Sequence, residues 1–182
     1  MTCSAASSGA SPPDMANLRE RIQSAPTRSL AGTFYRMVHE QWKTDILDAT
    51  GGFIYGGRYN PKDSFGALYL AESEELSLAE RLKQAGGDFS RLGPQVVGAV
   101  SVKLKKVLDL TDARVRRRLG VSKKDLADLD DRSLTQAIGI LAREAGCDGL
   151  LAPSAVAEGA NLVVFDPGEQ RVKRKSLAPY SP

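Results

Sequence analysis

The order of extended and helical segments is the feature that most limits the folds open to this chain. Extended patterns predict strands at residues 30–38, 67–71, 96–104, 106–110, 149–152, 161–165 and 171–177. Capping and periodicity predict helices from Ser73 to the Gly86-Gly87 pair and, in two or three pieces, between 111 and 146, the last at 134–145. Because strands outnumber helices and the two do not alternate regularly, the sequence favours an α+β fold over a doubly wound parallel sheet.

The first 28 residues differ in composition from the rest of the 182-residue chain. Residues 1–13 are small and polar, so they bury too little apolar surface to order themselves. Asp14 is suited to cap a short helix running through Gln23, before Pro26 interrupts it. We therefore predict a disordered or loosely helical extension over 1–28 and one folded domain over 29–182.

Composition excludes several classes of function. A net charge of +3 is small for a dedicated nucleic-acid binder, so direct binding of nucleic acid is not expected. The basic runs at 114–118 and 173–175 still leave open the alternative of a basic nucleic-acid-binding module without catalysis. Cys3, Cys147 and His39 match no metal-ligand spacing, and no metal site is predicted. No apolar run reaches the ~18 residues of a membrane span and no secretory signal is evident. We expect a cytoplasmic protein without membrane contact.

A glycine-rich turn, GGRYNP, carries Arg58 and Tyr59 directly before the strand that contains Tyr69. Glycines let the backbone approach a ligand closely, and an arginine there can bind phosphate through a two-pronged hydrogen bond. A hairpin with a solvated arginine explains the same pattern, and Tyr69 fits a core position equally well. The residues alone leave these alternatives open.

Glu80 is the only acid in the second half of the helix that starts at Ser73, and it falls close to the apolar stripe. A carboxylate near a buried face needs a partner or a chemical role, and an ion pair with Arg81 would also explain it. Ser154 lies in the loop APSAVAEGANLVVF, where serine commonly caps a turn.

Four segments, taken in order, resemble the RES domain, a family named for an arginine, a glutamate and a serine. They are FYRMV, GGRYN, ALYLAESEELSLAE and AGCDGLLAPSAVAEGANLVVF, which together extend roughly from residue 34 to residue 165. In this resemblance Arg58, Glu80 and Ser154 match the arginine, the glutamate and the serine. Tyr59 and Tyr69 match the aromatic positions beside them.

The resemblance implies an ADP-ribosyltransferase-like fold, with two small, mostly antiparallel sheets around a cleft for NAD and helices at the sides. RES proteins break the nicotinamide–ribose bond of NAD, by hydrolysis or by transfer of ADP-ribose to inorganic phosphate. They are typically toxins, each paired with an Xre-type antitoxin. NAD is then the substrate, inorganic phosphate is a candidate co-substrate, and no other cofactor is implied. ADP-ribosyl transfer to a protein is the alternative reaction, and a homodimer is left open.

The resemblance also implies roles for the residues. Loss of neutral nicotinamide leaves an oxocarbenium ion, which the carboxylate of Glu80 would stabilise. Arg58, the second catalytic candidate, would hold the pyrophosphate or an incoming phosphate. The remaining candidates are expected to contact NAD: Arg36, Tyr59, Tyr69, Ser154 and Asn161.

Overall fold

The structure, a computed structural model, describes residues 15–180. Its helices are α1 (Met15–Gln23), α2 (Thr50–Tyr55), α3 (Glu74–Gln84), α4 (Ala113–Leu119), α5 (Lys123–Ala127) and α6 (Ser133–Glu144). Its strands are β1 (Thr27–His39), β2 (Ala67–Ala71), β3 (Gln95–Asp109), β4 (Gly149–Pro153), β5 (Ala160–Phe165) and β6 (Val172–Pro179). The predicted α+β fold is confirmed. None of the helices in this part of the chain is long and apolar enough to cross a membrane.

Two local features differ from the sequence prediction. The short helix α2 precedes the GGRYNP turn, at residues where the sequence predicts no helix. The strands predicted at 96–104 and 106–110 are one continuous strand, β3. Continuity is possible because the side chain of Asp148 accepts the backbone N–H groups of Lys105 and Lys106, at 2.7 and 3.0 Å, where β3 changes its partner.

The strands form one hydrogen-bonded sheet in the order β1-β2-β5-β4-β3-β6, and β1 also pairs with β3. Five strands therefore close into a ring, and β6 lies outside it on β3. The resemblance implies two separate sheets, whereas here the long strand β3 joins two parts of a single sheet. Its residues 96–102 pair with β6, and its residues 107–109 pair with β4.

Strand alternation decides which side chains reach the ring interior. Leu68 and Leu70 of β2 pack inside the ring, together with Leu162 and Val164 of β5. The intervening residues therefore point to the other face of the sheet. In the β2–β5 ladder Tyr69 is opposite Val163 and Ala71 is opposite Asn161, so these four residues share one face.

A second core lies between the sheet and helices α1, α4, α5 and α6. Leu18 and Ile22 of α1 are each only 2% exposed and belong to this core. Part of the predicted extension over 1–28 is thus packed against the domain predicted to begin at residue 29. The predicted cap Asp14 and residues 1–13 lie outside the described residues.

Helix α3 begins and ends where the sequence predicts. The side chain of Ser73 accepts the N–H of Leu76 at 3.1 Å, and the helix ends at Gln84, before the two glycines. The helix packs on β1 and β2 and buries Leu76 and Ser77. Residues one turn further along α3 therefore lie beside the sheet face that carries Tyr69 and Asn161.

Candidate active site

A cavity of about 670 Å³ lies between α3, the sheet face of Tyr69 and Asn161, and the loops before β2 and after β4. This volume is within the usual range for small-molecule sites. Among the described residues its charged lining is strongly unbalanced: five cationic side chains face one carboxylate, that of Glu80. The cations are Arg36, Arg58, Arg81, Lys83 and Arg132. The cavity is therefore suited to a ligand with more than one anionic group.

Glu80 lies on α3 and is half-buried. Its Oε1 accepts hydrogen bonds from Ser154 Oγ at 2.8 Å and from Asn161 Nδ2 at 2.5 Å. Within residues 15–180 Glu80 makes no ion pair with Arg81, so the proposed pairing of these neighbours on the helix is wrong. Both bonds go to one oxygen, and Oε2 accepts none from the described residues. The carboxylate is thus fixed in place with one oxygen available to a ligand.

Ser154 acts on Glu80 and is not part of the cavity lining. Its hydroxyl donates to Glu80 and accepts the N–H groups of Val156 and Ala157, at 3.0 and 3.4 Å. The hydroxyl proton of Ser154 is therefore engaged by Glu80 and is not available to a ligand. Asn161, by contrast, lines the cavity from β5 while its side-chain amide holds Glu80.

Arg58 is half-buried and bound to the last turn of α5 and the residue just after it, so it is not a solvated hairpin residue. Its Nη1 donates to the carbonyls of Leu126 and Asp128, at 3.0 and 2.6 Å. This contact secures the loop that carries Leu129 and Arg132 into the cavity lining. The described residues accept no hydrogen bond from Nε or Nη2 of Arg58, which leaves these donors for a ligand.

Arg36 and Arg81 lie on the β1 and α3 side of the cavity. Nη1 of Arg36 donates to the carbonyls of Ile46 and Asp48, at 2.8 and 2.9 Å. Burial lowers the pKa of Arg36 to about 10; nearby Asp48 opposes this shift, and the charge of Arg81 adds to it. Arg81 bonds to the side-chain carbonyls of Gln84 at 2.7 Å and Gln95 at 3.3 Å, and burial lowers its pKa as well. Both stay cationic at neutral pH.

The two tyrosines differ in how their hydroxyls are used. Tyr69 donates to Asn60 Oδ1 at 2.7 Å and accepts the N–H of Tyr59 at 2.9 Å, which fixes the GGRYNP turn. Tyr59 is 2% exposed, and its hydroxyl has no partner among the described residues. Burial raises the pKa of both hydroxyls well above the usual range. Both side chains line the cavity.

The GGRYNP turn is held tightly against its neighbours. A Cβ at Gly57 would lie 2.4 Å from the hydroxyl of Tyr69, and one at Gly139 of α6 would lie 1.7 Å from the carbonyl of Tyr59. Gln136 of α6 also donates to the carbonyl of Gly57 at 3.0 Å. Only glycine at these two positions permits this approach, so α6 and Tyr69 together set the position of Arg58.

The structure brings the predicted site residues to one cavity, except that Ser154 lies just behind its wall. Sequence reasoning missed Arg81, Lys83 and Arg132. A signal for Arg81 was present, because Ser77, Glu80, Arg81 and Gln84 form a polar stripe at helical spacing, and all four line the cavity.

The basic run at 114–118 lies away from this cavity and is partly used by the fold. Arg116 Nη1 donates to the carbonyls of Leu110 and Thr111, both at 2.7 Å, and Arg114 pairs with Asp112 at 2.9 Å. Two of its arginines thus have local structural partners, which weakens the alternative of a basic binding module.

Comparisons with known proteins identify the family of this chain. A family model described as the RES domain matches residues 33–181. A protein of Mycobacterium tuberculosis named "Probable NAD(+) phosphorylase" is 37% identical over 154 residues, which are 81% of this chain and 71% of that protein. NAD(+) phosphorylase MbcT of Mycobacterium bovis is 30% identical over 166 residues, 88% of this chain and 86% of that protein. The crystal structure of the M. tuberculosis MbcT-MbcA toxin-antitoxin complex matches with a TM-score of 0.78 and 27% identity, over 91% of this chain and 92% of that chain. The match over most of the chain shows that this protein belongs to the RES domain family.

Proposed function

We propose that this protein breaks the nicotinamide–ribose bond of NAD and transfers ADP-ribose to inorganic phosphate, with water as a competing acceptor. The observation that carries the proposal is Glu80, whose carboxylate is fixed by Ser154 and Asn161 inside a cationic cavity. NAD phosphorylase names on relatives support the same reaction. NAD and phosphate are then both substrates, and the proposal requires no further cofactor.

Glu80 acts on the transition state. When the bond from C1″ of the nicotinamide ribose to nicotinamide breaks, its electron pair leaves with nicotinamide and positive charge develops on the ribose ring. A fixed carboxylate beside the ring stabilises that charge without reorganisation, and its free Oε2 can accept a hydrogen bond from the 2″-hydroxyl of this ribose. Ser154 and Asn161 orient the carboxylate.

Arg58 and Arg132 are the cations at the loop side of the cavity, and we assign them to the pyrophosphate of NAD. Nη1 of Arg58 is held by two carbonyls, so the remaining guanidinium donors are already oriented. Tyr69 offers its ring, because its hydroxyl is already bonded twice. The hydroxyl of Tyr59, which has no partner within residues 15–180, is a further polar group that a nicotinamide or ribose atom could satisfy.

We further propose that the protein is the toxin of a toxin–antitoxin pair and acts on cytoplasmic NAD. The structural neighbour was solved as the MbcT-MbcA toxin-antitoxin complex, which supports an antitoxin partner. We also relate the fold to ADP-ribosyltransferases. The two parts of the sheet that β3 joins would correspond to the two sheets around the NAD cleft.

The direct test incubates the purified protein with NAD, with and without inorganic phosphate, and identifies the products by mass. We expect nicotinamide together with ADP-ribose 1″-phosphate when phosphate is present, and nicotinamide with ADP-ribose when it is absent. Failure to release nicotinamide under either condition would refute the proposed function.

A further inference from the structure

A pair of arginines on the β1 and α3 side of the cavity takes part in no ion pair within residues 15–180. Arg36 and Arg81 both line the cavity, are half-buried and lie close enough for the charge of one to affect the pKa of the other. The carboxylate of Asp48 acts on Arg36 from nearby, but it is exposed and accepts hydrogen bonds from Thr50. Two neighbouring cations that this carboxylate does not pair with are unfavourable in an empty site, and an anion relieves their repulsion.

Neutral groups hold this pair in place. Arg36 donates to two backbone carbonyls, and Arg81 donates to the side-chain carbonyls of Gln84 and Gln95. These partners fix the guanidinium groups without neutralising their charge, and the one carboxylate that acts on Arg36, that of exposed Asp48, forms no ion pair with it within residues 15–180. Ser77 lies one turn before Arg81 on the same helix and lines the same cavity.

We propose that Arg36 and Arg81 form the binding site for the acceptor phosphate, separate from the Arg58 and Arg132 side that takes the pyrophosphate. This assignment rests on the proposed function. NAD and phosphate must be bound together, and one pair of arginines cannot hold two anions at once. Arg58 is half-buried like Arg36 and Arg81, but Arg132, Tyr55 and Leu129 on its side are exposed, which suits an extended dinucleotide. On the other side both arginines are half-buried, which suits a compact anion.

Transfer of ADP-ribose to phosphate requires no proton transfer to the protein. A phosphate oxygen donates an electron pair to C1″ of the nicotinamide ribose, and the C1″–nitrogen bond breaks with its electron pair passing to nicotinamide. Any proton on phosphate stays on phosphate, so no general base is required. Water, in contrast, must lose a proton to complete the same transfer. The choice between the acceptors thus depends on holding phosphate beside C1″.

The test measures steady-state kinetics of Arg81→Gln with each substrate varied in turn. We expect the KM for phosphate to rise about tenfold or more and the KM for NAD to change by less than about threefold. The product mixture should shift from ADP-ribose 1″-phosphate toward ADP-ribose. Arg81→Lys keeps the charge but not the planar fork, so its KM for phosphate should lie between those of the parent and Arg81→Gln.

Arg118→Gln is the matched control, because Arg118 is exposed on α4 and outside the cavity. It should leave both KM values unchanged. An unchanged KM for phosphate in folded Arg81→Gln, or an equal rise in both KM values, would overturn the assignment. If Arg81→Gln does not fold, the same criteria apply to Arg81→Lys.

A binding measurement separates this assignment from the proposed reaction. Titration calorimetry with inorganic phosphate alone should detect binding to the parent protein and to Arg118→Gln, and none to Arg81→Gln. A parent that binds phosphate through Arg81 but does not cleave NAD would refute the reaction and keep the site. A parent that cleaves NAD but shows no Arg81-dependent phosphate binding would refute the site and keep the reaction.

Discussion

Replacing Glu80 with glutamine removes the negative charge of the side chain and keeps its shape almost unchanged. The carbonyl oxygen of glutamine can still accept from Ser154 and Asn161, so the contacts at 2.8 and 2.5 Å can persist. What is lost is a full negative charge beside the developing oxocarbenium ion. A charge pair about 4 Å apart at an effective dielectric constant of about 20 is worth about 4 kcal/mol. Losing one preorganised electrostatic contact typically lowers kcat by about 10²–10³.

The assay is nicotinamide release at saturating NAD and phosphate, with melting temperature measured on the same samples. We expect kcat to fall about a hundredfold or more while the protein stays folded. Glu74→Gln is the control, because it removes an exposed carboxylate from the first turn of the same helix and should cost only about 0.5 kcal/mol of stability. A folded Glu80→Gln protein with a kcat within about threefold of the parent would refute the catalytic role of the charge.

Four further substitutions follow from the hydrogen bonds and the core. Ser154→Ala should lower kcat about tenfold with little change in the KM for NAD, because it loosens Glu80 without removing a ligand contact; a rise in KM alone would instead place Ser154 on the substrate. Tyr69→Phe should lower the free energy of unfolding by about 1–3 kcal/mol in a denaturant titration, because it leaves the Tyr59 N–H unpaired, whereas Tyr59→Phe should cost almost nothing. Leu18→Ala should cost about 2–5 kcal/mol, and a cost near zero would show that α1 does not dock.

Local signals explain the parts of the fold that the sequence predicts. Helix α3 has its cap at Ser73 and its stop at Gly86-Gly87, both set by neighbours in the chain, and the structure confirms both ends. The continuity of β3 depends on Asp148, about forty residues away, whose side chain replaces missing ladder bonds at Lys105 and Lys106. No local pattern can reveal such a partner.

At the candidate site, too, the sequence identifies individual residues but not the contacts between residues that are distant in the chain. The family resemblance matches Glu80 and Ser154 to family positions, and Asn161 is a further candidate, but their hydrogen bonds join a helix, a loop and a strand that only the folded chain brings together. Adjacency in sequence leaves an ion pair between Arg81 and Glu80 open. Adjacent helical residues point in directions about 100° apart, and here Arg81 instead bonds to Gln95 of β3.

The charged groups of the cavity share one property that sequence could not supply. Glu80 is held by a hydroxyl and an amide, Arg36 and Arg58 by backbone carbonyls, and Arg81 by two glutamines. Each charge is fixed in direction by neutral partners, and within residues 15–180 none of the recorded ion pairs includes a residue of the cavity lining. An internal ion pair would satisfy each group better in the empty protein, but it would also cancel the field that an anionic substrate and a cationic transition state require. The arrangement therefore gives up stability in the empty site in favour of charges already oriented for the reaction.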